Sequence, residues 1–179
     1  MKGHTVIIET TRLTLKALTA EDWPLFYELH RNPLVTQLCF DPPSIEAMKQ
    51  RFHCRLQAWN TQSTHWLCFV VNHRHSNESI GLTGFCMQDG VAEVGYMFLP
   101  SFYGQGFATE SLRGLLEWAR ERHAIDEFLA TVTKGNVASE KVLLNSGFTF
   151  HQSIANAYCI GGNLYTDHIY RLSLKAQSA

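Results

Sequence analysis

The 179-residue sequence has no Cys-x-x-Cys pair, and its five cysteines (Cys39, Cys54, Cys68, Cys86 and Cys159) stand singly. An odd set without paired spacing argues against a disulfide framework or a zinc knuckle. It fits a reducing compartment, so a cytoplasmic location is expected. Nine histidines are present, yet no His-x-x-x-His lies on a predicted helix beside an acid, and no metal is expected. Apolar runs never reach bilayer-spanning length. The opening Met1-Lys2-Gly3-His4 leads into Thr and Glu without the apolar core of a signal peptide, so no membrane partner is expected. Charge of one sign is also missing: 15 Lys and Arg against 16 Asp and Glu leave a formal −1. With no basic, aromatic-interleaved stripe, direct nucleic-acid binding is not expected. Repeats, low-complexity tracts and linkers are absent, which leaves one domain over residues 1–179.

What is present is organised around Tyr103-Gly104-Gln105-Gly106-Phe107-Ala108-Thr109-Glu110. An apolar strand-like run, residues 91–99, precedes it, and a helical pattern, residues 108–122, follows. Strand, Gly-rich turn and helix in that order aim several backbone N–H groups and a helix dipole at one point, which suits a phosphate or diphosphate. Gly-x-Gly before a helix is also a common tight turn. The dinucleotide fingerprint is nearly matched by Gly104, Gly106 and Thr109 with Asp126 further on. However, the third glycine is missing, the acid precedes the next strand, and about a hundred residues come first.

The remaining pattern gives an α+β layout: a mixed, mostly antiparallel sheet of about seven strands with helices on both faces. Residues 12–16 alternate as a first strand. Thr19 with Asp22 opens a helix carrying Trp23, Phe26 and Leu29, which stops before Pro33. Ile45, Met48, Phe52, Leu56 and Trp59 recur at helical steps as a second helix. Residues 66–71, 80–87 and 91–99 form an antiparallel meander, with Gly81 and Gly84 as bulge sites and Gln88-Asp89-Gly90 as a hairpin turn. Leu112, Leu115, Leu116 and Ala119 make the buried stripe of the helix after the Gly-turn. Residues 128–132 are the next strand. Asn136-Val137-Ala138-Ser139 starts a short helix ended by Gly147. Residues 148–154 and 164–172 close the sheet around Gly161-Gly162-Asn163.

Three stretches in order resemble the GNAT superfamily of acyl-CoA N-acyltransferases, in particular its ribosomal-protein N-acetyltransferase (RimJ/RimL) branch. They are the Gly-turn, with an aromatic Tyr103 at its head; Asn136-x-x-Ser139 followed by Leu143-Leu144-Asn145-Ser146-Gly147-Phe148; and Glu9-Thr10-Thr11-Arg12-Leu13-Thr14-Leu15. Lys16 stands where that branch usually has Arg. The resemblance implies a GNAT-like fold and transfer of acetyl from acetyl-CoA to an amine, with no metal. The acceptor it implies is a ribosomal protein's N-terminal α-amine, or alternatively a small amine such as a polyamine, amino acid or aminoglycoside. A non-catalytic acyl-CoA sensor is the reading from another class. Whether the chain is a monomer or a homodimer stays open.

The same resemblance assigns the diphosphate of CoA to Gly104, Gln105, Gly106, Phe107, Ala108 and Thr109, with the Gln105 amide and Thr109 hydroxyl as extra donors. It assigns the pantetheine arm to Met97, Phe98, Leu99 and Asn136, in a splay between that strand and the next. Ser139 serves the leaving thiolate. Asn136 and Ser139 also read as a helix cap and its first turn. For the general base the resemblance offers Glu93, which reads equally as a salt-bridged strand residue. Ser153-Ile154-Ala155-Asn156-Ala157-Tyr158, where some relatives carry a glutamate, has no carboxylate, so Tyr158 and Asp167 are the other candidates. An α-amine, titrating near ~7.7–8.0, asks less of a base than a lysine amine near ~10.4. The first two helices and the final hairpin are expected to build the acceptor groove, lined by Glu21, Asp22, Glu28, Asp41 and Glu46.

Overall fold

A computed structural model describes residues 6–175; the leaderless start read from Met1 to His4 lies outside them. Eight strands form one sheet: β1 (Ile7–Glu9), β2 (Leu13–Ala17), β3 (Leu67–His73), β4 (Ser79–Gln88), β5 (Val91–Phe98), β6 (Glu127–Thr133), β7 (Thr149–Ile160) and β8 (Asn163–Ser173). Their order is β1-β2-β3-β4-β5-β6-β8-β7. Every pairing is antiparallel except β5 with β6. The expected mixed sheet is present with one strand more than the seven read from the pattern. The addition is β1, three residues that pair with β2 from Ile7 opposite Lys16 to Glu9 opposite Thr14.

Helices cover both faces. On one side lie α1 (Trp23–Arg31), α2 (Pro33–Thr36) and α3 (Ile45–Arg55). They bury Phe26, Leu29, Met48 and Phe52 against Cys68, Val70 and Leu82 of the sheet. On the other lie α4 (Phe107–His123) and α5 (Val137–Asn145). The α4 stripe of Leu112, Leu115, Leu116 and Ala119 is buried as expected, against Phe69, Val71, Phe85 and Phe128. A period-2 strand and a period-3.6 helix thus share each interface, and the α4 axis is fixed by its stripe.

Local chemistry sets the turns. Asp89 and Gly90 take φ of 48° and 82°, the two left-handed positions of a type I′ hairpin. Gly147, at φ 92°, ends α5 in a Schellman motif: Phe148 N–H donates to the Leu143 carbonyl and Gly147 N–H to that of Leu144, each at 3.1 Å.

Three expectations need correction. Helix α3 ends at Arg55, and Trp59 leaves it to pack edge-on against Phe85 and His123 in the other core. The β3–β4 bulge adds Ile80 on β4, beside Gly81 as expected, where the register moves from Val71 opposite Gly81 to Asn72 opposite Ser79; none falls at Gly84. Both glycines mark close approach: a Cβ on Gly84 would lie 2.1 Å from the Leu67 carbonyl oxygen. Strand β7 runs on to Ile160, past the expected end at residue 154, and bends where its register shifts between Ile154 and Tyr158. As expected, the Asp22 carboxylate closes a capping box on its N-cap, Thr19. The Thr19 N–H and O–H both donate to that carboxylate, at 2.8 Å each, over a short 3-10 turn ahead of α1.

Candidate active site

The site begins where two strands part. β5 and β6 pair only at Ala92 with Phe128 and Glu93 with Leu129. Past these residues β5 stays with β4, and β6 stays with β8 as far as Thr133 opposite Asp167. Leu99 N–H donates to the Ile80 carbonyl at 2.9 Å. Antiparallel alternation therefore turns the main-chain groups of Val94, Tyr96 and Phe98 to the edge that β6 leaves open. The gap is a cavity of about 210 Å³ reached by Gly95, Tyr96, Thr131, Ser139, Tyr158 and Asp167. Its shape suits an extended arm carrying amides, which pairs with β5 as a strand would.

The Gly-turn lies after β5. Gly104 and Gly106 have φ of 74° and 79°, and Gly106 is the N-cap of α4. Residues 103–106 are exposed, whereas Phe107 is buried and serves the core with its side chain. Of the residues expected here, Phe107 and Ala108 can offer a ligand only backbone N–H groups of the first helical turn, and Thr109 faces a neighbouring groove. The Gln105 amide folds back to donate to the Ser101 carbonyl at 3.1 Å.

Two residues outside the turn hold it. Arg12 donates from its main-chain N–H and its Nε to the Glu110 carboxylate, at 2.7 Å each, and from a terminal nitrogen to the Gln105 carbonyl at 3.0 Å. The Thr10 hydroxyl donates to Glu110 at 2.7 Å. The Arg12 guanidinium also lies over the Phe107 ring, 4.5 Å from its centroid. Burial works to raise the Glu110 pKa, but the bonds from Thr10 and Arg12 prevail and hold it below the ordinary carboxylate value. With the Gln105 carbonyl tied inward, the turn presents N–H groups and α4 its dipole end to an anion.

Across the cleft, α5 brings Asn136 and Ser139. The Asn136 side chain accepts Ser139 N–H at 3.3 Å, the capping role, while both residues line the cavity. Ser139 Oγ lies 2.9 Å from the Tyr96 hydroxyl, which also donates to the Ser139 carbonyl at 3.0 Å. Burial raises the Tyr96 pKa well above the ordinary phenol value, so its proton stays on at any physiological pH. Pattern reading missed Tyr96, though a signal existed. It shares the apolar face of Val94 and Phe98, and a tyrosine there needs a partner for its hydroxyl. Arg12 was read as the head of a strand and as part of the entry motif, with no role at the turn.

The expected base, Glu93, sits where β5 and β6 part. Its carboxylate accepts from the Thr131 hydroxyl at 2.9 Å and the Gln88 amide at 3.0 Å. Asp167 of β8 reaches the cavity with one buried carboxylate oxygen that has no donor. Burial raises its pKa, and the charge of Glu93 adds to the effect. The Tyr158 hydroxyl is bonded to that of Thr133, and burial raises its pKa too. Leu38 and Cys39, beyond α2, close the cavity on the helical side. The Asp41 carboxylate accepts Gly161 N–H at 2.8 Å, joining the α2–α3 loop to the β7–β8 turn. Asp22, the other acid of the expected groove given a partner, is spent on Thr19. Among the described residues, no group of three or more His, Cys, Asp or Glu side chains is placed to hold a metal, and no helix is long and apolar enough to cross a membrane.

Comparison with known proteins bears on this arrangement. The family model described as acetyltransferase (GNAT) domain matches residues 12–149. An uncharacterized N-acetyltransferase of Bacillus subtilis, YoaA, is 25% identical over 171 residues, covering 93% of this chain and 96% of its own. One of Schizosaccharomyces pombe is 27% identical over 189 residues, covering 94% and 95%. Among solved structures, RimL, a ribosomal L7/L12 α-N-protein acetyltransferase in complex with coenzyme A, superposes with a TM-score of 0.81 at 23% identity, covering 94% and 98%. Spermidine N-acetyltransferase from Vibrio cholerae, in complex with CoA and spermine, gives 0.79 at 18%, covering 92% and 96%.

Proposed function

The chain belongs to the acetyltransferase (GNAT) domain family, and from that premise we propose that residues 1–179 form one catalytic domain transferring acetyl from acetyl-CoA to the free α-amine of a protein N-terminus. The observation that carries the donor half is the parting of β5 from β6 directly ahead of an anion-ready Gly-turn. A diphosphate at residues 104–109 and an amide-bearing arm along Val94, Tyr96 and Phe98 fit one continuous ligand. Acetyl-CoA supplies the acetyl group as a thioester.

The chain's own groups then divide the work. Backbone N–H groups of the turn bind the diphosphate, with the α4 dipole behind them. Of the expected strand-end residues, Phe98 turns its main-chain groups to the arm's path, whereas alternation turns those of Met97 and Leu99 to β4. Alternation leaves the Phe98 N–H to polarise the thioester carbonyl, since that of Leu99 is held by Ile80. Asn136 and Ser139 border the arm, and the Ser139 hydroxyl, backed by Tyr96, protonates the departing sulfur. A thiolate needs little help, because a free thiol titrates near ~8.5. Glu93 and Asp167 give the acceptor side a negative lining suited to an incoming ammonium.

An α-amine is the acceptor best matched to so lightly built a base, and the ordered motifs around Arg12, Tyr103 and Ser139 support it. RimL, named for such a substrate, shares the fold. A polyamine is the second reading, favoured by the Asp167 carboxylate at the cavity and the Glu93 charge that acts on it. Thiol release from acetyl-CoA, compared between a peptide with a free N-terminal serine, its N-acetylated form and spermidine, separates them. Turnover with the free peptide alone is expected. Turnover with spermidine alone moves the acceptor to small amines, and binding of acetyl-CoA without turnover makes the protein a sensor. Mass spectrometry of ribosomal proteins with and without this chain tests the ribosomal target.

A further inference from the structure

We propose that Asp167 is the general base of the transfer, with Glu93 as a fixed negative charge beside it. The inference rests on the acetyl-transfer reading above and gives the proton-accepting role of Glu93 to another residue. Register places Asp167 opposite Thr133 of β6 and Ile154 of β7. Alternation puts its side chain on the Thr131 and Thr133 face, away from its neighbour His168, which pairs with Glu140 of α5 at 2.6 Å. Thr133, the hydroxyl directly across the ladder, is already bonded to Tyr158. One Asp167 oxygen is buried without a donor, on a residue that lines the cavity. Buried carboxylate oxygens nearly always have a partner, so an orphan on a cavity-lining carboxylate is suited to take a ligand's proton.

Glu93 is the contrasting case. Two donors satisfy its oxygens. Two nearby carboxylates with such different surroundings separate into a fixed charge and a proton carrier. The titratable groups around Asp167 are Glu93 from β5, Tyr158 from β7, Cys39 from the helical side and His168 on its own strand. Burial and Glu93 raise the Asp167 pKa, and His168 works in the opposite direction. Tyr158 is the poorer base, because burial raises its pKa further from neutrality and its hydroxyl is engaged.

The balance is complete without another reagent. The acceptor arrives as an ammonium and gives one proton to Asp167. The freed nitrogen lone pair forms the N–C bond while the C–S bond breaks and its pair leaves on sulfur. The second nitrogen proton, released as the amide forms, reaches sulfur by way of Ser139, and Asp167 returns its proton to solvent.

Asp167→Asn and Glu93→Gln test this, with a free N-terminal serine peptide and spermidine as amine probes. Asp167→Asn is expected to lower kcat at pH 7 about a hundredfold. Its Kd for acetyl-CoA by calorimetry should stay within about twofold, and its activity should recover as pH rises through the amine's own pKa. Glu93→Gln is expected to raise the KM for the amine a few-fold, to cost far less in kcat than Asp167→Asn, and to move the acid limb of the pH profile to lower pH, since it removes the charge that raises the base's pKa. Carbon-13 NMR gives a readout apart from activity: the Asp167 carboxyl should titrate above the ordinary aspartate range and fall in Glu93→Gln. Wild-type kcat and acid limb in Asp167→Asn, an ordinary Asp167 titration, or loss of turnover confined to Glu93→Gln each overturns the proposal. If Asp167→Asn fails to fold, the titration and the Glu93→Gln limb decide it. If the wild type turns over neither amine, the acceptor reading fails, and the carboxyl titration alone decides whether Asp167 carries the proton.

Discussion

Ser139 and Tyr96 share one hydrogen bond across the cleft, so each hydroxyl is the other's support. Because the leaving thiolate is weakly basic, we expect Ser139→Ala and Tyr96→Phe each to lower kcat by about ten- to a hundredfold, the low end for acid catalysis. Acetyl-CoA affinity should change little. The double variant should cost little more than either single one, since both remove the same bond; steady-state kinetics of the four proteins checks this. Another buried residue makes a pH prediction. His30 lies within α1, its Nδ1 2.7 Å from the Phe26 carbonyl and its ring stacked between Phe26 and Phe40. Burial, opposed in part by that hydrogen bond, lowers its pKa from 6.5 to about 4. A histidine that folds neutral contributes stability above its unfolded pKa and loses it as pH falls through the folded one. Urea unfolding should thus show a decline between pH 6.5 and 4, worth up to about 3 kcal/mol, that is smaller in His30→Gln.

At the scale of elements, the N-terminal hairpin acts as a clasp on the cosubstrate turn. Arg12→Ala removes the tie to the Gln105 carbonyl and to Glu110. The expected result is an acetyl-CoA Kd weaker by about five- to thirtyfold, the range of ordinary coupling energies, with kcat nearly kept. Calorimetry beside saturating kinetics separates the two. Gly84→Ala belongs to the β3–β4 interface, where the added Cβ meets the Leu67 carbonyl; it should lower stability by about 1–3 kcal/mol, read from the urea midpoint. Elements were legible where periodicity met chemistry. The α4 stripe, the Asp89-Gly90 turn and the Gly147 cap each carry a pattern with one physical solution. Strand β1 is too short to show a period. Most of β7 is exposed, so no inward face marks where it ends. Trp59 misled because it keeps the helical spacing of Met48 and Phe52 while packing in another core after α3 has stopped.

For the whole molecule, a ligand bound only by the folded state must raise its stability. Acetyl-CoA at a hundred times its Kd is expected to add about 2.7 kcal/mol, a thermal shift of about 5–10 °C for a chain of this size. Arg12→Ala should shrink that shift at equal ligand. The Gly-turn at the start of α4 was readable because it is made from contiguous sequence, residues 103–110. The Arg12 clasp and the Asp167 orphan join residues about a hundred positions or several strands apart, and such partners become visible only in three dimensions. The interrupted pairing of β5 and β6 has a mechanical consequence as well. The sheet is two rafts, β1 to β5 and β6 to β8, moored at two residue pairs. If the pantetheine arm takes the place of the missing plank as proposed, acetyl-CoA should slow amide exchange at Val94, Tyr96 and Phe98 and stiffen the seam between the rafts.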